Sequence, residues 1–236
     1  MTRIFVNGTG EADNSYYAAP VETGLSAIHF TVDSLAKAVH NFLYNGTDAA
    51  VTGTPSFNSS GGIFTDNTSY LTTAFSETTE MTFFVIGKLV SVGTTGACFF
   101  SNGGAQAGVF GTNLYATATT GITFSSTRNN AGTNTSAGAS ISGNVNTNWA
   151  LYVCQATATG NTVRNITTGA SANNNLGSTK VISSGQIRIG ANYTSTYDGQ
   201  TQVLAYIGHN AALTEAEIQQ WITRLRKYAA GRGITI

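Results

Sequence analysis

The run Met81-Thr82-Phe83-Phe84-Val85-Ile86-Gly87-Lys88-Leu89-Val90 constrains the fold more than any other segment. Successive side chains of an extended strand point to opposite faces, so Met81, Phe83 and Val85 share one face and Phe84, Ile86 and Val90 the other. Apolar residues on both faces need cover on both sides, which puts this strand at the centre of a sandwich. Further strands are expected at 3–6, 62–64, 70–71, 97–100, 109–116, 122–127, 148–157, 162–168, 186–191 and 201–208. Turns rich in Gly and Asn separate them, such as Ser101-Asn102-Gly103-Gly104 and Thr159-Gly160-Asn161. Only Pro20 and Pro55 interrupt the chain, which suits strands that must keep their ladder donors. The pattern predicts an all-β protein built as a two-sheet antiparallel sandwich. Residues 34–43 read as a short helix or an irregular segment.

One segment breaks the pattern. Thr214 followed three residues later by Glu217 forms a capping-box signature, and Leu213 can staple onto Ile218. Ile218, Trp221, Ile222, Leu225 and Tyr228 recur at helical spacing, so a helix over 214–230 should dock on the sandwich. Glu215 and Glu217 at its start, and Arg224, Arg226 and Lys227 towards its end, match the helix dipole.

Charge is scarce. The 236 residues hold 11 basic and 11 acidic side chains for a net charge of zero, and charged residues make up 9% of the chain. An average soluble protein has about 25%. Thr, Ser and Asn supply 37, 20 and 21 residues, so solubility rests on neutral hydroxyls and amides. Without a basic face the chain is no nucleic-acid binder, because phosphate counterions would go undisplaced. A hydrophobic content of 41% argues against disorder. No apolar run approaches the roughly 18 residues of a membrane span, so no membrane insertion is expected. Ile4-Phe5-Val6 is too short for a signal core, and synthesis in the cytoplasm without a signal peptide is the expectation. Cys98 and Cys154 sit in apolar runs and read as two buried thiols rather than a disulfide. There is no zinc-ligand spacing.

The order of these elements carries a resemblance. Thr52-Gly53-Thr54-Pro55-Ser56-Phe57, then Gly62-Ile63-Phe64 and Ser69-Tyr70-Leu71, resemble the first edge strands of the concanavalin A-like, or laminin-G-like, jelly-roll modules. Residues 82–87 resemble their central strand, Asn148-Trp149-Ala150-Leu151-Tyr152 a strand opened by tryptophan, and Ile187-Arg188-Ile189-Gly190 a strand ending in Ile-Gly. Gln202-Val203-Leu204-Ala205-Tyr206-Ile207-Gly208, then Leu213-Thr214-Glu215-Ala216-Glu217-Ile218 and Tyr228-Ala229-Ala230-Gly231, resemble the last strand and closing helix. The resemblance spans roughly 25–236. It implies a jelly-roll domain over 21–236, with residues 1–20 as an attachment arm or an extra strand.

Modules with this composition are similar to bacteriophage tail-fibre, collar and head-decoration proteins. The implied role is a non-enzymatic virion-surface protein, with other virion proteins and copies of itself as partners, and with host cell-surface polysaccharide as a ligand. A soluble carbohydrate-binding module is the alternative, and a glycan-degrading enzyme the weakest reading. A retaining glycosidase needs two carboxylates about 5–5.5 Å apart, yet Asp198 is the only acid between Glu80 and Glu215. Glu77 and Glu80 flank a strand start and read as loop charges. His29, His40 and His209 are scattered, with no Gly-x-Ser-x-Gly elbow.

Neutral sugars are bound by an aromatic platform for the apolar face and by amides or carboxylates for the hydroxyls. The loop Asn192-Tyr193-Thr194-Ser195-Thr196-Tyr197-Asp198-Gly199 offers both, with Asn192, Tyr193, Tyr197 and Asp198 as candidate contacts. Arg128 and Asn129, at a strand end, form a second candidate. An Asn/Tyr-rich loop in such a chain is more often a surface turn, and the tyrosines read equally as packing against a neighbouring subunit. Asp66 and Asp198 are the only plausible calcium donors near strand ends; no metal or other cofactor is indicated.

Overall fold

The structure is a computed structural model that describes residues 18–117, 121–143, 147–175, 178–194 and 196–236. It opens with strand β1 (Leu25–Phe30), helix α1 (Leu35–Val39), β2 (Ala50–Thr52), β3 (Ser56–Asn58), β4 (Gly61–Thr65) and β5 (Tyr70–Ser76). The middle holds β6 (Met81–Ser91), β7 (Ala97–Ser101), β8 (Asn113–Thr117), β9 (Gly121–Asn130), β10 (Thr133–Ile141) and β11 (Ala150–Ala156). Then follow β12 (Asn161–Asn165), β13 (Ser171–Asn174), β14 (Thr179–Lys180), β15 (Gln186–Ile189), β16 (Gln200–His209) and helix α2 (Glu215–Gly231). The expected strand at 3–6, and most of the proposed arm at 1–20, lie outside the described residues; residues 18–20 are in neither helix nor strand.

The strands form two eight-stranded antiparallel sheets, as the strand pattern predicts. The first runs β13-β12-β11-β6-β16-β4-β3, with β1 beside the end of β16; the second runs β10-β9-β8-β7-β15-β5-β2, with β14 against β9. Between them Phe83, Phe99, Phe100, Phe124, Tyr152 and Tyr206 build the main core. Phe83 lies 4.5 Å from Phe100 and Phe99 5.4 Å from Tyr152, centroid to centroid. At Gly87 a β-carbon would sit 2.9 Å from the Phe99 ring, so the missing side chain makes room for that aromatic.

The other face of the first sheet carries Phe84, Ile86, Leu151, Val153, Leu204 and Ile207, which pack with Ile218, Trp221, Ile222 and Leu225 of α2. Phe84 and Trp221 lie 5.7 Å apart. β6 is therefore covered on both sides. Val90, expected on the same face, is 43% exposed because the cover stops short of it. The capping box of α2 is complete: Glu217 N–H donates to Thr214 Oγ1, and the Glu217 carboxylate accepts from Thr214 N–H at 2.8 Å. Arg224, Arg226 and Lys227 precede the last turn, which holds no basic residue, and the cation at the C-terminal end is the C-cap residue Arg232.

Several elements differ from expectation. The strand read at 109–116 begins only at Asn113, and residues 102–112 form a loop. Strand β10 is too polar to announce itself, since only Ala137, Ala139 and Ile141 of Thr133–Ile141 are buried hydrophobics. Its carbonyls take side-chain amides from the facing sheet: Asn161 Nδ2 donates to Ala137 O at 2.7 Å and Asn174 Nδ2 to Gly138 O at 2.8 Å. Cys98 and Cys154 are buried free thiols, on β7 and β11 of opposite sheets.

Two predictions follow from this packing. Trp221→Ala should lower the unfolding free energy by about 3–5 kcal/mol, the range for emptying a buried aromatic site; urea denaturation checks it. Burial also pushes the pKa of His29 and of His209 from 6.5 down to about 4. The unfolded chain then binds protons that the native protein refuses, so stability is full above pH 6.5 and falls as the pH drops towards 4. The loss should be on the order of 3 kcal/mol per histidine. Equal urea midpoints at pH 7 and pH 4.5 would refute it.

Candidate functional site: a groove on the uncovered sheet

Helix α2 covers the first sheet, which leaves the outer face of the second to the loops. Along β8 and β9, Leu114, Ala116, Ile122 and Phe124 turn into the core. The alternate residues Asn113, Tyr115, Thr123 and Ser125 therefore turn outward. Asn113 stands opposite Ser125, and Tyr115 opposite Thr123. Two loops, 102–112 and the described residues of 192–199, rise beside this face and enclose a groove of about 510 Å³. Phe110, Asn113, Tyr115, Ser125, Ser136, Thr194, Thr196 and Tyr197 contribute to its walls. The Tyr115 and Tyr197 rings stack 5.3 Å apart at 25°, and Phe110 is 47% exposed at the rim. Among the described residues its lining includes no Asp, Glu, Lys or Arg.

Carboxylates hold the loops from behind. Asp66 accepts from the backbone N–H of Asn192 at 2.7 Å and of Tyr197 at 3.2 Å, pinning both ends of the loop. Burial raises its pKa, and these N–H donors oppose the rise. Asp198 accepts from the hydroxyls and backbone N–H groups of Thr94 and Thr95 at 2.6–3.0 Å. Those bonds, led by the Thr94 hydroxyl, hold its carboxyl well below the usual range. Glu77 is no loop charge: it is buried and 2.9 Å from Lys180 Nζ. It also accepts from Asn102 Nδ2 at 2.9 Å, from Ser183 N–H at 2.9 Å and from the Thr112 hydroxyl, so it fixes both ends of the 102–112 wall.

The six residues singled out in the sequence separate. Asn192 and Tyr197 line the groove. Tyr193 is packed on the Arg188 guanidinium, 3.4 Å from its ring centroid, and its hydroxyl donates to Gln186 O. Asp198 spends its oxygens on the 94–95 turn. Arg128 does not reach the surface: it is buried and donates to Ala158 O, Ser178 O and Gly160 O, and to Asn161 Oδ1. Asn129 bridges Asn134 and Gly132 in the β9–β10 turn. What the sequence reading missed is Tyr115, an outward aromatic between inward Leu114 and Ala116. Strand alternation within the expected segment 109–116 already sets it on the opposite face from Leu114 and Ala116.

No family model matches the chain, and no curated protein matches it. Solved structures do. A Trypanosoma rangeli sialidase with bound 2,3-difluorosialic acid aligns at a TM-score of 0.63 and 12% identity, over 89% of this chain and 34% of that one. A botulinum neurotoxin type C structure, from work on cell entry through two ganglioside molecules, aligns at 0.58 and 12%, over 85% and 51%. The binding domain of botulinum neurotoxin DC in complex with SialylT aligns at 0.59 and 8%, over 86% and 52%. The chain thus spans about a third to a half of each neighbour's length, and likeness at such identities establishes a shared β-sandwich fold.

Arg128→Ala should destabilise the protein by about 3 kcal/mol, because it strands several buried carbonyls without a donor. A change under about 0.5 kcal/mol in urea unfolding would show that the guanidinium is dispensable.

Proposed function

We propose that this chain is a non-catalytic carbohydrate-binding β-sandwich whose ligand lies in the groove over β8 and β9. The observation that carries this reading is the stacked Tyr115–Tyr197 pair beside the Gln106 amide and the hydroxyls of Ser136, Thr194 and Thr196. Aromatic rings meet the apolar face of a sugar, and amides and hydroxyls pair with its hydroxyl groups so that none is buried unsatisfied. Neighbours studied with gangliosides, SialylT and 2,3-difluorosialic acid support a sugar as the ligand class for a sandwich of this shape. The acids near the groove are engaged in holding loops, which favours binding over hydrolysis. In the finer form of the proposal the domain is displayed on a bacteriophage virion, as a tail, collar or capsid component that meets host polysaccharide. That form rests on the resemblance described above and on the charge-poor composition rich in Thr, Ser and Asn. Repeated copies on a particle would raise weak single-site binding by avidity.

Glycan-array screening of the purified protein tests the proposal. Tyr115→Ala and Tyr197→Ala should each weaken the best glycan at least about tenfold, equivalent to about 1.4 kcal/mol, and Tyr193→Ala should leave its affinity within about twofold. Binding that survives both groove substitutions in a folded protein would place the site elsewhere. Light scattering on the same sample reads the oligomeric state that multivalent display requires.

A further inference from the structure

Behind the groove wall, two side chains meet on one buried carboxylate. The Glu77 side chain is fully buried and that of Lys180 is 1% exposed, with Lys180 Nζ 2.9 Å from Glu77 Oε1. Asn102 is also fully buried, and its Nδ2 lies 2.9 Å from the other oxygen, Oε2. The remaining polar atom of that amide, Oδ1, accepts a 2.6 Å hydrogen bond from the Thr112 backbone N–H. Two further donors, the Thr112 hydroxyl at Oε1 and the Ser183 backbone N–H at Oε2, complete the shell around the carboxylate. The full set places an amine at one oxygen of a base, the leaving nitrogen of an amide at the other, and a backbone donor where negative charge would develop on the carbonyl.

We propose that Lys180 and Asn102 become joined by an intramolecular amide bond that the folded protein forms by itself, with Glu77 as the proton shuttle. The lysine ammonium first passes a proton to Glu77, giving an amine and a carboxylic acid. Burial lowers the pKa of Lys180, although Glu77 opposes the shift. Nζ leaves its contact with Thr78 O and attacks Cγ of Asn102, forming the N–C bond and pushing the carbonyl pair onto Oδ1, which Thr112 N–H holds. A turn of the Glu77 carboxyl group carries the first proton round to Nδ2, and the carboxylate so formed takes the second proton from the attacking nitrogen. The Cγ–Nδ2 bond then breaks with its electron pair on nitrogen and the carbonyl re-forms. The products are a secondary amide, one ammonia and Glu77 as the neutral acid, so no oxidant, metal or co-reactant is consumed. The link would tie the loop after β7 to β14. It is independent of the sugar-binding reading.

Intact-mass spectrometry and peptide mapping of the purified full chain test it. The expected result is a mass one ammonia below that of the sequence and a branched peptide containing both Asn102 and Lys180. Glu77→Gln and Lys180→Arg should each restore the full mass. The wild-type map decides the matter even if neither variant folds. Asn102 and Lys180 in separate, unmodified peptides would overturn the proposal. So would ammonia loss without a branched peptide, as a succinimide at Asn102-Gly103 would give.

Discussion

Burying both faces of the first sheet sets the terms for everything else in this chain. β6, β11 and β16 send one set of side chains into the space between the sheets and the other under α2. A strand of that kind leaves little room for charge, and Met81–Ser91 carries a single charged residue, Lys88, only partly buried beyond the covered run Met81–Gly87. The hydrophobic effect scales with the apolar area removed from water, so two stacked interfaces on one sheet give a large core to a chain of modest length. The cost falls on sequence freedom: the helix must lie where it does, and the second sheet is left as the face on which loops can build a site.

With so few charged groups, each one that is buried acts as an organiser. Glu77, Asp66 and Arg128 gather donors or acceptors from segments remote in sequence, and none is left without partners. A buried charge is tolerated only when its partners replace the water it lost. The result is a set of loops anchored from within by carboxylates, while the groove surface stays neutral. Rigid loops lower the ordering cost of any ligand they receive.

How much of this could be read in advance depended on where each signal lay. β6, β11, β16 and α2 were legible because their evidence is local: apolar residues on both strand faces, and a capping box ahead of a helical stripe. β10 was not, because its inward residues are mostly alanines and its strand character is supplied by pairing with β9 along its whole length. β14 hides behind Lys180, a residue that seldom marks a strand. Glu77 and Arg128 looked like surface charges because the groups that satisfy them are distant, Ser183 lying 106 residues from Glu77. The groove was half legible. Asn192 and Tyr197 belong to a loop whose composition stands out, whereas Tyr115 matters only through the ring that stacks on it from that loop.

The amides that Asn161 and Asn174 extend to the carbonyls of β10 bear on life in a crowd. An outermost strand normally invites a second chain to continue the ladder, and proteins often repel that visitor with lysines or a proline. Here two carbonyls of β10 accept Asn amides from the opposite sheet, and because successive carbonyls of a strand point to alternate sides, one of the two lies on the open edge. An incoming strand would meet an acceptor already engaged from within, so the edge is blunted at that point without a charge.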